Sequence, residues 1–315
     1  MSERRLHELL GAELDRPVPD SARALAAHLA NRGGAAAAVV LFYGSALRSG
    51  NLDGILDFYV LLDDIGAWPA PLLARAGNRL LPPNVGYVEL DHAGQRLRAK
   101  FAVMGSAQFA ARLTDAALDT TIWARFCQPA VCIWSRSPAD RAAATDLIAA
   151  AVVRAARWAA RLGPARATPA EFWSALFART YAAELRVEQA ARPQDIIARD
   201  LGRYEELLPL AWAADALAFA RMGGGQLQPA LTHTDQMLAK RGWRRRTRHG
   251  RRLNLLRLLK AAFTFEGAMD YVAWKIERHR GVRIEVKPWQ RRFPLLAAPG
   301  LYWKLRRLGV ISRRA

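Results

Sequence analysis

Cysteines, histidines and long hydrophobic runs are all scarce in this chain, and each shortage excludes a class of protein. Cys127 and Cys132 are its two cysteines, too few for a disulfide framework and without the spacing of a zinc site. We expect both to be core residues in a reducing compartment. The apolar stretch 35–47 is too short to span a bilayer, and 207–220 contains Asp215. The sequence therefore predicts a soluble or peripheral protein.

Catalytic motifs built on histidine or on repeated glycine are missing as well. The 6 histidines form neither a His-Glu-x-x-His pattern nor a metal cluster, and no Ser-His-Asp order is present. Gly223, Gly224 and Gly225 follow a helical pattern and lack the Lys-Ser/Thr ending of a phosphate loop, so we predict a linker there. These absences argue against zinc hydrolases, P-loop nucleotidases and dinucleotide-dependent enzymes.

Acidic residues are few, because 28 Asp and Glu face 47 Lys and Arg, which gives a net charge of +19. The segment 240–260 has 10 Lys or Arg and no acid, and 287–315 has 8 and no acid. The second segment also contains four large aromatic residues: Trp289, Phe293, Tyr302 and Trp303. Rings and cations together suit an anionic membrane surface, and they also suit nucleic acid. We expect a membrane as the partner, with nucleic acid as the alternative and a solvated face as a further alternative for 240–260.

The hydrophobic pattern changes its period near residue 136. Helical spacing marks 6–14 and 21–31, and strand patterns mark 36–43, 55–62, 86–90, 96–104 and 129–134, with a hairpin turn at 91–94. Beyond 136 the pattern predicts a long helix over 138–162, a capping box at 168–171 and a short strand over 282–286. We therefore predict an α/β domain with a mixed sheet (1–137), a helical domain (138–286) and a basic aromatic membrane-binding tail (287–315).

The most informative segment is the end of the first strand pattern, where Gly44 and Ser45 follow Tyr43. A glycine lets backbone amides close on a phosphate, and a serine hydroxyl adds a hydrogen-bond donor. Asp57 lies near the start of the next strand pattern, where its carboxylate could hold Mg²⁺. This arrangement is typical of nucleotidyltransferases that bind a nucleoside triphosphate.

A second metal-binding carboxylate is harder to assign. Most nucleotidyltransferases place two acids two residues apart on one strand, but here the position two residues after Asp57 is Tyr59. Glu89 and Asp91 lie on a neighbouring strand pattern and are the candidates for the second carboxylate. The alternative for both is an ordinary acid on an exposed hairpin.

Taken in order, these motifs resemble the mitochondrial-type phosphatidate cytidylyltransferases, the translocator assembly and maintenance family. The matching positions are Tyr43-Gly44-Ser45, Leu56-Asp57-Phe58, Asp63-Asp64, Trp68, Lys100 within 96–103, Arg125 within 125–129, Arg186 within 181–186, and the segment 260–264. The resemblance implies a nucleotidyltransferase-like mixed-sheet domain followed by a mainly helical domain. It also implies an enzyme that transfers CMP from CTP to a lipid phosphate, such as phosphatidic acid, and releases pyrophosphate with Mg²⁺ as cofactor.

The residues and the resemblance together give a set of candidate site residues. By role they are Asp57, Lys100 and Arg125 for catalysis, Gly44, Ser45 and Arg186 for nucleotide binding, and Asp57 and Glu89 for the metal. The expected location is cytoplasmic, peripheral on the inner face of the membrane. The alternative is a nucleotidyltransferase-like protein that acts on nucleic acid or protein, or a degenerate one that binds nucleotide without catalysis.

Overall fold

A five-stranded mixed sheet organises the first half of the chain. The computed structural model describes residues 1–51, 54–183, 193–294, 296–297, 299–300 and 303. The strands of the sheet are β1 (Ala37–Tyr43), β2 (Leu56–Leu62), β3 (Asn84–His92), β4 (Gln95–Gly105) and β5 (Ala130–Ser135), in the spatial order β3-β4-β2-β1-β5. β2 and β4 run parallel, and the other neighbours are antiparallel. The expected mixed α/β content is confirmed.

Helices dominate the rest of the described chain. They are α1 (Ser2–Leu14), α2 (Asp20–Gly33), α3 (Ser45–Ser49), α4 (Leu72–Leu80), α5 (Ser106–Ala111), α6 (Thr121–Phe126), α7 (Pro138–Leu162), α8 (Pro169–Ala183), α9 (Pro193–Ala198), α10 (Leu201–Ala214), α11 (His233–Thr264), α12 (Ala268–Arg280) and α13 (Pro288–Arg292). Across the described residues, no helix combines the length and the apolar character that crossing a membrane requires.

Local sequence signals fix several of these boundaries. The β3–β4 hairpin turns at Ala93 and Gly94, which both have positive φ (48° and 75°), as a two-residue hairpin turn requires. The Ser137 side chain accepts a hydrogen bond from the Asp140 amide at the start of α7, so this helix has its predicted bounds. The predicted capping box is also present at the start of α8, because the Thr168 amide donates to the Glu171 carboxylate and the Glu171 amide donates to Thr168 Oγ1.

The two faces of the sheet pack against different helices. One face contributes Val40, Phe42 and Phe58 to a core that α2 covers. The other contributes Leu41 and Tyr59 to a core that continues through α1, α7, α8 and α10. The helical half therefore shares its core with this second face of the sheet, which is also the face on which the candidate site lies.

Two predictions about the second half are wrong. The segment 282–286 is irregular, although Val282 and Ile284 are half-buried and Arg283 is exposed, as alternation predicted. Alternation without a neighbouring strand to pair with does not make a sheet. Gly223–Gly225 is a hairpin turn rather than a linker, because it joins the short antiparallel strands β6 (Phe219–Arg221) and β7 (Leu227–Pro229).

Candidate functional site

The candidate site is built on one row of side chains that crosses the sheet where β1 ends and β2 begins. Tyr43 on β1 pairs with Asp57 on β2, Asp57 pairs with Lys100 on β4, and Lys100 pairs with Tyr87 on β3. Paired residues on neighbouring strands project from the same face, about 5 Å apart at the backbone. Register therefore brings Asp57 and Lys100 together, although 42 residues of sequence separate them.

Gly44 packs directly against the Asp57 carboxylate. Its φ of 94° is disfavoured for any residue with a side chain, and an added Cβ would lie 2.6 Å from Asp57 Oδ2. The chain then enters α3, whose first residue, Ser45, is exposed. The glycine thus allows the backbone and the carboxylate to approach closely. Its predicted role, to let backbone amides close on a phosphate, stays a prediction.

Arg125 reaches this row from α6. Its guanidinium carbon lies 5.4 Å from the centre of the Tyr43 ring. Burial raises the pKa of Tyr43 to about 12, with Arg125 opposing the shift and Asp57 adding to it. The two charges that act on this one phenol show that Arg125 and Asp57 face the same small region.

A buried ion pair fixes the start of α6 and hence the position of Arg125. The Asp119 carboxylate accepts hydrogen bonds from the amide and hydroxyl of Thr121, and Arg257 of α11 donates to it at 2.5 Å. Burial alone raises the pKa of Asp119, but Arg257 and Thr121 more than offset this effect, so the pKa lies below its usual value. Asp119 is therefore ionised, and α11 is held against the site.

The far end of the row is covered by the segment that follows α11. The amide of Tyr87 donates a hydrogen bond to the Glu266 carbonyl at 2.8 Å, and the Tyr87 and Tyr271 rings lie 5.7 Å apart. Gly267 has a φ of 70°, and an added Cβ there would lie 2.5 Å from the Tyr87 carbonyl oxygen. The edge strand next to Lys100 is thus closed by the helical half.

Glu89 is engaged by neighbours other than a metal. It accepts a hydrogen bond from the Tyr87 hydroxyl at 2.7 Å, and it forms ion pairs with Arg98 at 3.4 Å and with Arg96 at 3.6 Å. Two strand spacings also separate β3 from β2, about 10 Å. The assignment of Glu89 as a metal ligand stays a prediction, and it requires the carboxylate to leave these partners.

Asp57 fits Mg²⁺ as a single protein ligand. In sites that hold nucleotides, this ion is usually bound by one or two carboxylates together with phosphate oxygens and water. Within the described residues, no group of three or more His, Cys, Asp and Glu side chains could hold a metal by itself. Any Mg²⁺ at this site would therefore depend on the nucleotide for most of its ligands.

The structure brings together most of the predicted residues. Gly44, Ser45, Asp57, Lys100 and Arg125 surround the end of β1. Arg186 lies outside the described residues, so its predicted role stays a prediction. Sequence reasoning missed Tyr43 and Tyr87 as members of the row, because the only signal for them is their strand register with Asp57 and Lys100.

No protein-family model and no curated protein matches the chain. The chemistry of the site therefore follows from its own residues. One carboxylate faces one ammonium and one guanidinium beside a glycine turn, so the local charge favours an anion, and the carboxylate can carry a divalent cation. That combination suits a nucleoside triphosphate with its metal.

Proposed function

We propose that this protein is a nucleotidyltransferase of the phosphatidate cytidylyltransferase type, which transfers CMP from CTP to a lipid phosphate. The observation that carries the proposal is the packing of Gly44 on the Asp57 carboxylate, with Lys100 in register beside it. A strand that ends in a positive-φ glycine next to an acid on the neighbouring strand provides phosphate and metal binding at one point. The resemblance to the family supports the choice of CTP and of a lipid acceptor.

The proposed reaction is a displacement at the α-phosphorus of CTP. An oxygen of the lipid phosphate forms the new P–O bond, the bond between the α-phosphorus and the bridging oxygen breaks, and pyrophosphate leaves with that electron pair. A phosphate monoester is largely ionised at neutral pH, so it needs little help from a general base. The main requirement is to bring two anions together.

The cations of the site meet that requirement. Lys100 and Arg125 would neutralise charge on the triphosphate and on the attacking phosphate, and Arg125 can bind two phosphate oxygens at once. Mg²⁺, when bound, would supply further charge neutralisation at the phosphates. Asp57 would hold it, and Gly44 would allow the triphosphate to approach the backbone.

Glu89 favours a second candidate function. Because its oxygens are held by Tyr87 and two arginines, the site has one well-placed acid where most nucleotidyltransferases use two. That observation suits a degenerate protein that binds a nucleotide without turnover. Transfer of a nucleotide to nucleic acid or protein stays a further alternative. The two candidates differ in whether a CDP-lipid forms.

The test is an assay of purified protein with labelled CTP, Mg²⁺ and a panel of lipid phosphates, scored for a CDP-lipid product. Asp57→Ala is expected to abolish turnover, because a metal-holding carboxylate stabilises the transition state by several kcal/mol. Asp20→Ala is the control. That acid lies at the start of α2, in an exposed ion pair with Arg23 at 2.7 Å, and its loss should leave the rate unchanged.

Two results would reject the proposal. One is an Asp57→Ala protein that keeps more than about a tenth of the activity, equivalent to a loss of only about 1.4 kcal/mol. The other is CTP binding without any CDP-lipid product across the panel, which would support the second candidate function.

A further inference from the structure

The solvent-exposed side of α11 is cationic in its first part and apolar in its second part. Its outer stripe is defined by residues spaced three or four apart on one side of the helix: Arg241, Arg245, Arg248, Arg252, Leu255, Leu259 and Phe263. All of these side chains are exposed. The opposite side of α11 packs inward through Arg246, Gly250, Arg257 and Lys260. The hydrogen bonds that hold the helix in place are therefore made from this inner side.

The first part of the outer stripe is cationic. Four arginines extend over about 16 Å of helix without an intervening acid. They line a cavity of about 430 Å³ together with His249 and Leu118. Among the described residues, none of the four has an ion-pair partner. A concave row of guanidinium groups is suited to bind several phosphates at once.

The second part of the outer stripe is apolar and just as exposed. Leu255, Leu259 and Phe263 keep 53%, 56% and 67% of their surface accessible, whereas most large hydrophobic side chains in the described part of the chain are buried. α4 lies alongside, with Gly77 against Lys260, and it adds exposed leucines at 72, 73 and 80. Exposed apolar side chains on two adjacent helices mark a site of interaction with a partner or a membrane.

We propose that the outer stripe docks this protein on an anionic lipid bilayer. In this arrangement the leucine end enters the acyl region and the arginine end binds headgroup phosphates. Leucine side chains provide no stacking surface for bases, and Phe263 is the single ring of the outer stripe, so its apolar end favours a bilayer over nucleic acid. Arginines and leucines on one stripe match the two layers that a bilayer presents, phosphate above hydrocarbon.

The position of the leucine end of the outer stripe is also consistent with a lipid substrate at the candidate site. The apolar end of α11 leads directly into Glu266, whose carbonyl accepts a hydrogen bond from Tyr87 on the edge strand beside Lys100. The leucine end is therefore the part of the outer stripe that adjoins this edge of the sheet. The choice of a lipid bilayer rests on the proposed function, but the docking itself requires no catalysis.

The experiment measures partition of the full chain onto phosphatidylcholine vesicles with and without phosphatidylglycerol, in the absence of CTP. Replacement of Arg241, Arg245, Arg248 and Arg252 by Gln should weaken partition onto the anionic vesicles by on the order of a hundredfold. The control replaces four exposed arginines elsewhere, Arg4, Arg16, Arg166 and Arg221, and removes the same charge. It should weaken partition by less than about threefold if the position of the charge decides binding.

A second variant tests the apolar end. Leu255→Gln, Leu259→Gln and Phe263→Gln together should weaken partition about tenfold or more at every salt concentration, because salt does not screen apolar burial. Leu201→Gln, an exposed leucine on α10, should have no effect.

Two outcomes of the vesicle experiment would overturn the inference: equal losses of partition in the two arginine variants, or normal partition of the apolar variant. A third is an outer-stripe arginine variant that loses binding to nucleic acid but still binds the vesicles. A protein that docks but forms no CDP-lipid would reject the proposed function and leave the docking in place.

Discussion

At the scale of single residues, Gly44 is the position where a positive φ places the backbone against the proposed metal-binding carboxylate. Gly44→Ala places a Cβ 2.6 Å from Asp57 Oδ2 at a φ of 94°, so we expect the carboxylate to shift and Mg²⁺-dependent CTP binding to fall at least about tenfold. Titration calorimetry with CTP measures the change.

The matched control for this prediction is Gly34→Ala. Gly34 has a similar backbone conformation, with φ 56° and ψ −143°, but nothing lies within 4 Å of an added Cβ. Both variants should lose about 1–3 kcal/mol of stability from strain. Equal CTP affinity in the two variants would show that Gly44 matters only for the fold.

Arg125 allows a second test at this scale. Arg125→Lys keeps the charge but loses the planar fork that binds two phosphate oxygens, so we expect CTP turnover to fall by roughly ten- to a hundredfold. Steady-state kinetics with CTP and lipid varied separately will show which phosphate it binds. Arg48 is half-buried nearby on α3, and Arg48→Lys serves as the control, for which we expect unchanged kinetics. If kinetics are unchanged in Arg125→Lys, the guanidinium serves only to pack against Tyr43.

At the scale of elements, two ion pairs join α1 to α10 and differ in burial. Glu13 and Arg203 are both buried, and Arg203 also donates to the Cys127 carbonyl at 3.0 Å. Arg5 and Glu206 form an exposed pair at 3.0 Å between the same helices. We expect Arg203→Met to lower the free energy of unfolding by about 3–5 kcal/mol, because it leaves the Glu13 charge buried and unpaired.

The exposed pair is the control, since Arg5→Met should cost no more than about 1 kcal/mol. Adding Glu13→Leu to Arg203→Met should recover much of the loss, because no buried charge then remains. Denaturant unfolding measures all three variants. A small effect of Arg203→Met would mean that water reaches Glu13, and the pair would then not fix α1 against α10.

At the scale of the whole molecule, one core joins the helical half to the sheet. Cys127 and Cys132 lie in this core with Tyr59 and Trp212, and burial raises the pKa of each thiol to about 12. We therefore expect both thiols to resist alkylation at mildly alkaline pH until the chain unfolds. Thiol labelling, tryptophan fluorescence and far-UV circular dichroism should show one coincident transition in denaturant. Two separate transitions would show that the sheet and the helices are independent units.

The sequence predicted the sheet strands to within two residues and predicted the bounds of α7, because burial alternation and capping residues are local signals. It also grouped Gly44 with Asp57 as candidate site residues, and the two lie in contact. It did not predict Tyr43 and Tyr87 as neighbours of Asp57 and Lys100, since register across strands depends on how distant segments meet.

The sequence by itself thus determined the elements, the cationic segments and the residues that can bind phosphate and metal. Only the tertiary structure decided how they are used. It committed Glu89 to Arg96 and Arg98, and it held α11 inward through Arg257. It thereby turned the arginines and leucines of the outer stripe to the surface. The physical reason is that composition fixes which charges exist, whereas packing fixes which of them find partners and which face outward.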